Sequence, residues 1–388
     1  MKLLAKWPHK RLGDISKKIG SGSTPRGGDS VYRSEGPAII RSQNVYNGLF
    51  NYEGLARLSE EHADQLTGVT VEAGDVLLNI TGDSVARCCQ APESVIPARV
   101  NQHVTIIRPN SKILNPQFLC YYLISPLMQS YLLSIAGSGG TRKALTKAMI
   151  EEFHVPCPSL QEQNQIVEIV GAYDDLIENN RRRMALLEES ARLLYQEWFV
   201  RFRFPGHEHV QIKNGVPEGW ERLPFDQALE LQRGFDLPTE ARQDGDIPIY
   251  GSTGIVGFHN SVKVEGPGLV TGRSGTLGEV HYISGPYWPL NTALWCKSFH
   301  RVTPLYALFL LREMDLKQYN GGASVPTLDR KAVHRLPVLV PPRLLISRFD
   351  KLAGLVFRQI RVCYSQNERL AIARNLLLPQ LMSGEVAV

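Results

Sequence analysis

The chain has 388 residues, 43% of them apolar and 21% charged, and a net charge of +5. That length exceeds one ordinary domain and the apolar share suffices for more than one core, which excludes a disordered chain. No run reaches the roughly 18 consecutive apolar residues of a membrane span, and the mild positive charge permits a polyanion partner without demanding one.

The start, MKLLAKWPHKRLGDI, has no apolar stretch long enough for a signal peptide. Residues 1–157 read as a first domain of turn-rich β segments with few helices. Polar loops punctuate it: GSTPR from Gly22, AIIRS from Ala38 running on into Gln43 and Asn44, and NITGDSVAR from Asn79 to Arg87. NPQF at Asn115–Phe118 looks like the Asn-Pro-Pro-aromatic loop of adenine methyltransferases. It lacks the second proline and a Gly-rich cofactor loop upstream, and is read as a helix start leading into FLCYYLISPLMQSYLL. GSGGTRK at Gly137 lacks P-loop spacing. The six cysteines, Cys88, Cys89, Cys120, Cys157, Cys296 and Cys363, show no CxxC pair and no zinc spacing. They are expected to be reduced thiols of a cytoplasmic protein.

After the strand-like lead-in FHVPCPSL, residues 158–201 form a rod. The stretch from Asn164 to Phe199 has one Gly and no Pro, and reads as about ten helical turns where globular helices average roughly 11–12 residues. Its apolar seam is expected at Ile166, Ile169, Tyr173, Leu176, Asn180, Met184, Leu187, Ala191, Leu194 and Trp198, a heptad pattern with one slip near Asn180. Residues 202–219 read as a linker, in which His207-Glu208-His209 has no third clustered ligand. Residues 220–341 are a second domain. Residues 342–388 are a second rod, with its seam at Ile346, Phe349, Ala353, Val356, Ile360, Cys363, Asn367, Leu370, Ala373, Leu377 and Leu381.

The second half repeats the first. Trp7 matches Trp220, GSTPR matches GFDLP at Gly234, and AIIRS matches IPIYGS at Ile247. NITGDSVAR aligns with LVTGRSGTL at an offset of 190, which also pairs Asn101 with Asn291. Pro158 matches Pro341 and Leu145 matches Leu328. The order is domain, rod, domain, rod, with extra residues in the first domain. Each rod has one apolar stripe and needs a partner. Pro158–Phe199 holds 4 basic and 8 acidic residues and Pro342–Ser383 holds 7 and 2, so the rods are expected to pair with each other, antiparallel. Asn180 and Asn367 are candidates for fixing register. About 40 residues at 1.5 Å make a rod of roughly 60 Å. Two related modules on a stiff spacer suit a target with two separated half-sites, and DNA half-sites one helical turn apart lie about 34 Å from each other. The fold class expected is α/β in the mixed α+β sense: two similar globular domains joined by two long antiparallel coiled-coil helices, a pseudo-two-fold internal repeat.

Neither a Walker A loop, nor GxGxxG after a strand, nor a GxSxG elbow occurs, and no catalysis of its own is expected. This layout resembles the specificity subunit of type I restriction-modification systems. PCPSLQEQNQIVEIV (Pro156–Val170) looks like that family's start of the central helix and LLYQEWFVRFRFPG (Leu193–Gly206) like its exit. EGW at Glu218–Trp220 opens the second variable domain, and LLLPQLMSGEV (Leu376–Val386) is similar to the family's ending. LPVLVPPRLL matches the second lead-in, but Leu344-Leu345-Ile346 replaces the Gln161-Glu162-Gln163 of the first rod. The resemblance implies that each domain is a target recognition domain reading half of a bipartite double-stranded DNA sequence. It implies two modification subunits docked on the rods, bringing S-adenosylmethionine, and restriction subunits using ATP and magnesium. This chain would bind no cofactor and no metal and touch no membrane. The rival is a duplicated coiled-coil adaptor that binds proteins instead of specific DNA; a stand-alone methyltransferase using NPQF comes last.

DNA readers must offer Arg or Lys to guanine, Asn or Gln to adenine, and Ser or Thr more loosely. In the first domain the candidates are Ser23, Thr24, Arg26, Arg41, Ser42, Gln43, Asn44, Thr81, Ser84, Arg87, Arg142 and Lys143, with RSQN (Arg41–Asn44) foremost. In the second they are Arg233, Tyr250, Ser252, Thr271, Arg273, Ser274, Thr276 and Lys331. Neither domain is strongly basic. Residues 1–157 hold 17 basic and 13 acidic side chains and residues 220–335 hold 12 of each, so isolated binding should be weak and salt-sensitive. Arg181-Arg182-Arg183 is read first as a solvated helix face or a partner of the acidic surface nearby, with a phosphate contact between the half-sites as the alternative.

Overall fold

A computed structural model describes residues 7–23, 28–137, 143–322, 324–386 and 388. Thr24, Arg26 and Arg142 lie outside the described residues. The chain divides into two units, residues 1–179 with 366–388, and residues 180–365. The boundaries fall inside the two long helices, so each unit contains one β-rich domain and part of each rod.

Unit 1 is built on β1 (His9–Arg11), β2 (Ser16–Ser21), β3 (Tyr32–Ile40), β4 (Ala56–Leu58), β5 (Thr70–Val71), β6 (Val76–Asn79), β7 (Cys88–Gln90), β8 (Ala98–Val100), β9 (Val104–Pro109) and β10 (His154–Pro156). One four-stranded sheet has the order β2-β9-β6-β7 and is antiparallel. A second has the order β4-β3-β8-β5, in which β8 lies parallel to β3. β1 pairs with β10, His9 opposite Pro156. The central strand β6 is buried along its whole length, as its unbroken VLLN requires of a strand covered on both faces. Its helices are α1 (Glu60–Asp64), α2 (Pro116–Ile124), α3 (Pro126–Gly137), α4 (Lys147–Glu151) and the first part of α5 (Leu160–Tyr195). NPQF is a helix start: the Asn115 side chain accepts the Gln117 and Phe118 N–H groups, with Pro116 in the first turn.

Unit 2 repeats this frame. Its strands are β11 (Glu221–Pro224), β12 (Leu229–Arg233), β13 (Ile247–Gly251), β14 (Gly254–His259), β15 (Gly268–Gly272), β16 (Val280–Ile283), β17 (Trp288–Pro289), β18 (Ala293–Phe299) and β19 (Pro337–Val340). The order β12-β18-β15-β16 matches β2-β9-β6-β7, β17 runs parallel to β13 as β8 does to β3, and β11 pairs with β19 as β1 does with β10. Its helices include α6 (Pro304–Glu313), α7 (Arg330–His334) and part of α8 (Arg343–Ser383). The repeat read from the sequence is therefore a repeat of topology. Gly22 and Gly234 show it at one residue: a Cβ on either would sit 1.6 Å from the Val100 carbonyl oxygen or 2.1 Å from that of Leu290.

Within unit 1, α5 and α8 run antiparallel. Ile166 and Val170 share a core with Leu378, Leu381 and Met382, and further along Asn367 Nδ2 donates to the Ile177 carbonyl at 3.1 Å. Asp174 accepts from both Tyr121 Oη, at 2.9 Å, and Arg374. Within unit 2, Ala191, Tyr195, Trp198 and Phe199 pack with Leu345, Ile346, Phe349 and Ala353, and α5 ends in a π turn over Gln196–Val200. The second seam follows the expected positions, Phe349, Val356, Ile360, Asn367, Leu370 and Leu377 all being buried or half-buried. The first needs correction. Tyr173, Asn180, Leu187, Leu194 and Trp198 are half-buried or buried, but Ile169 and Leu176 are 37% and 51% exposed, and Val170 and Ile177 take the inner positions. Both members of each adjacent pair are apolar, so the stripe is wide and its packing partners decide which member faces inward.

Among the described residues no single helix is long and apolar enough to cross a membrane. α2 and α3 meet that test only together, as a pair bent by 71°, and both contribute to the core. All six cysteines are buried thiols.

Candidate nucleic-acid interface

In unit 1 the loops after β3 and β6 meet over a cavity of about 470 Å³, lined by Ser42, Gln43, Tyr46, Thr81, Gly82, Asp83, Ser84, Arg87 and His103. Five of these, Ser42, Gln43, Thr81, Ser84 and Arg87, come from two candidate clusters that lie almost 40 positions apart in sequence. Side-chain hydrogen bonds tie the loops together. The Asn79 side chain at the end of β6 donates to the Ser42 carbonyl at 2.9 Å, and Thr81 Oγ1 lies 2.6 Å from His103 Nδ1. Gly82, at φ +74°, makes the left-handed turn that follows; its N–H donates to the Lys143 carbonyl. The exposed Lys143 thus sits at the rim. Arg87 lies over the Tyr46 ring, 4.6 Å from its centroid, which fixes the guanidinium by a cation–π contact. Ser23 is exposed just beyond β2.

RSQN divides. Asn44 is fully buried, its Oδ1 accepting the Arg41 N–H at 3.0 Å and its Nδ2 donating to the Asn51 carbonyl at 2.9 Å. It holds the loop and has no access to a base edge. Arg41 donates to the Gly54 carbonyl at 2.7 Å and lies 5.2 Å from the Tyr32 ring centroid, so part of its fork is already engaged. Gln43 is exposed, and its Nε2 makes a long contact of 3.4 Å to Gly54 O. Sequence reasoning missed Tyr46, Asp83 and His103. Tyr46 stands two residues beyond RSQN, outside the quoted cluster, and Asp83 stands inside NITGDSVAR, where acidic side chains were not counted as readers.

In unit 2 the corresponding loops gather Ser252, Arg273, Ser274 and Asn291. The Arg273 and Ser274 N–H groups donate to the Thr292 carbonyl, and Arg273 Nε donates to the Asn291 carbonyl at 2.7 Å. Asp236 accepts from Asn291 Nδ2 and pairs with Arg233 at 3.5 Å. Tyr250 is half-buried, its ring 6.0 Å from that of His281, and its hydroxyl pKa is raised by burial. Thr276 is half-buried, and Lys331 is exposed on α7. Thr271 does not belong to the interface. It is 1% exposed in β15 and donates to the Glu279 carbonyl at 2.7 Å. The 190 offset explains the error. Thr81 forms a bridge with Ala144, and its counterpart Ser274 does so with Thr327; Gly82 corresponds to Gly275, at φ +87°, whose N–H donates to Pro326 O. The loop has slipped three residues relative to the sequence match. Lys263 is a cation the sequence reading passed over: its Nζ lies 4.5 Å from the Phe235 ring centroid and 5.4 Å from that of Trp288.

Residues 5–189 match the family described as the type I restriction modification DNA specificity domain. The chain is 24% identical to the type I restriction enzyme MjaIX specificity subunit of Methanocaldococcus jannaschii, over 98% of this chain and 94% of that one. It is 21% identical to the HindI specificity subunit of Haemophilus influenzae, over 99% and 100%. A stretch covering 52% of this chain and 43% of the relative is 32% identical to the EcoBI specificity subunit of Escherichia coli. The fold is that of the type I restriction-modification S subunit from M. genitalium, at a TM-score of 0.56 and 16% identity over 97% of this chain and 96% of that one. Over nearly its whole length the chain is similar to type I restriction-modification specificity subunits, and its first half matches their DNA specificity domain.

Proposed function

We propose that each unit reads one half of a bipartite, asymmetric double-stranded DNA target, and that the chain supplies sequence reading and scaffolding with no catalysis of its own. The cavity of unit 1 is the observation that supports this most. It unites polar side chains from distant loops in a turn whose counterpart recurs in unit 2 with different residues, Ser274 for Thr81 and Thr292 for His103. A shared frame with altered loop chemistry is what two readers of different half-sites need.

The long helices set the unread gap and dock two methyltransferase subunits. Apolar side chains beyond the seams support docking: Ile169, Leu176, Ile372 and Leu376 in unit 1, and Leu186, Leu193, Leu352 and Leu355 in unit 2, are all exposed. S-adenosylmethionine belongs to those partners, and ATP and magnesium to restriction subunits.

The test is co-expression with a type I adenine methyltransferase subunit, followed by mapping of N6-methyladenine in the host DNA. The expected result is a two-part asymmetric motif with an unread gap, of which a swap of residues 220–335 changes one half. An assembled complex that adds no methylation would overturn the reading and favour the adaptor.

A further inference from the structure

We infer that Asp83 and Arg87 of unit 1 act together as the reader of one G·C base pair, with Arg87 addressing guanine and Asp83 the amino group of cytosine. The inference rests on the reading of this unit as a DNA reader and names the base pair it recognises.

Asp83 is an acidic group where a polyanion would bind. A site for a polyanion gains from cations and loses from carboxylates, yet the exposed Asp83 lines the cavity. Among the described residues no ion pair or hydrogen bond holds its carboxylate. Its cost against phosphate is offset if it accepts a hydrogen bond from a base, and the major-groove edge of cytosine offers a donor, N4. The partner base then presents two acceptors, O6 and N7 of guanine, which suit a guanidinium fork.

Arg87 meets that need. It lines the same cavity four residues on, and its guanidinium carbon lies over the Tyr46 ring, 4.6 Å from the centroid. Among the described residues it has no carboxylate partner, so its charge is left for a ligand. Among the described residues the other candidate arginines are engaged: Arg41 by the Gly54 carbonyl, Arg273 by the Asn291 carbonyl, Arg233 by Asp236. A phosphate contact needs only charge. A fork immobilised on a ring beside an unpaired carboxylate has the donor and acceptor pattern of one base pair.

The experiment uses the complex with its methyltransferase, and reads both the methylation motif and the binding of duplexes varied at single positions of the half-site of unit 1. Arg87→Gln should relax one G·C position by roughly 5- to 150-fold, the equivalent of one bidentate reader, and leave recognition of the other half-site unchanged. Asp83→Ala should relax the same position; being exposed, it tests the pair even if Arg87→Gln fails to fold. Loss of affinity for every sequence alike in Arg87→Gln, with a shallower salt dependence, would make Arg87 a phosphate contact and overturn the inference. So would Asp83→Ala raising affinity for all sequences with the motif unchanged. A wild-type complex without a bipartite motif defeats the underlying reading as well. A wild-type motif that both variants preserve defeats only the pair.

Discussion

Asn44 and Thr271 have the polar groups of base readers, and both groups are used up inside the protein. Composition shows which donors and acceptors a loop contains; it does not show whether the backbone has already claimed them. That is why the candidates were legible as clusters and not as individuals. Asn44→Ala leaves the Arg41 N–H and the Asn51 carbonyl without their partner. It should lower stability by about 1–3 kcal/mol, seen as a lower denaturant midpoint, while the methylated motif is retained. Titratable residues give a second prediction. Burial lowers the pKa of His281 and of His334, whose Nε2 accepts the Leu231 N–H. Unfolded histidines bind a proton near pH 6.5, where these folded ones resist it. Their contribution to stability is thus present above that value and lost as the pH falls below it. Burial raises the Asp350 carboxyl, which has the opposite sign and acts nearer the carboxylate range. The melting temperature should fall between pH 7 and 5.5, and less so in His281→Gln/His334→Gln.

Helix α5 shows how far periodicity reaches. Threes and fours located the rod, its partner and most inner positions of both seams. They could not choose between Ile169 and Val170, or between Leu176 and Ile177, because both members of each pair are apolar and the choice belongs to the residues opposite. What pins the register in unit 1 is polar. Asp174 ties α5 to α2 through Tyr121 and to α8 through Arg374. These groups are partly exposed, so the network is worth less than a buried one. Asp174→Ala should cost about 1–2 kcal/mol, and a double-mutant cycle with Arg374→Ala should show coupling below about 1 kcal/mol. The outward apolar residues make a different prediction. Leu352→Glu/Leu355→Glu leaves the seam intact and should reduce co-purification of the methyltransferase without lowering the melting temperature.

For the whole molecule, the duplication was legible because both halves keep the residues their common frame requires, such as Gly22 and Gly234. The three-residue slip between Thr81 and Ser274 was not, because the match rested on a short TG-x-S similarity that strand pairing overrides. The two units differ in one further respect. Unit 2 is a single continuous stretch of chain, whereas unit 1 is made of residues 1–179 and 366–388. Its core needs Leu378, Leu381 and Met382 against Ile166 and Val170. During synthesis the first domain must therefore wait for roughly 200 more residues, on the order of 10–40 s at the ribosome, with Ile166 and Val170 uncovered. Unit 2, made in between, has every residue of its core available first. The order of manufacture along the messenger is N-terminal domain before the second, and the order of completion is the reverse.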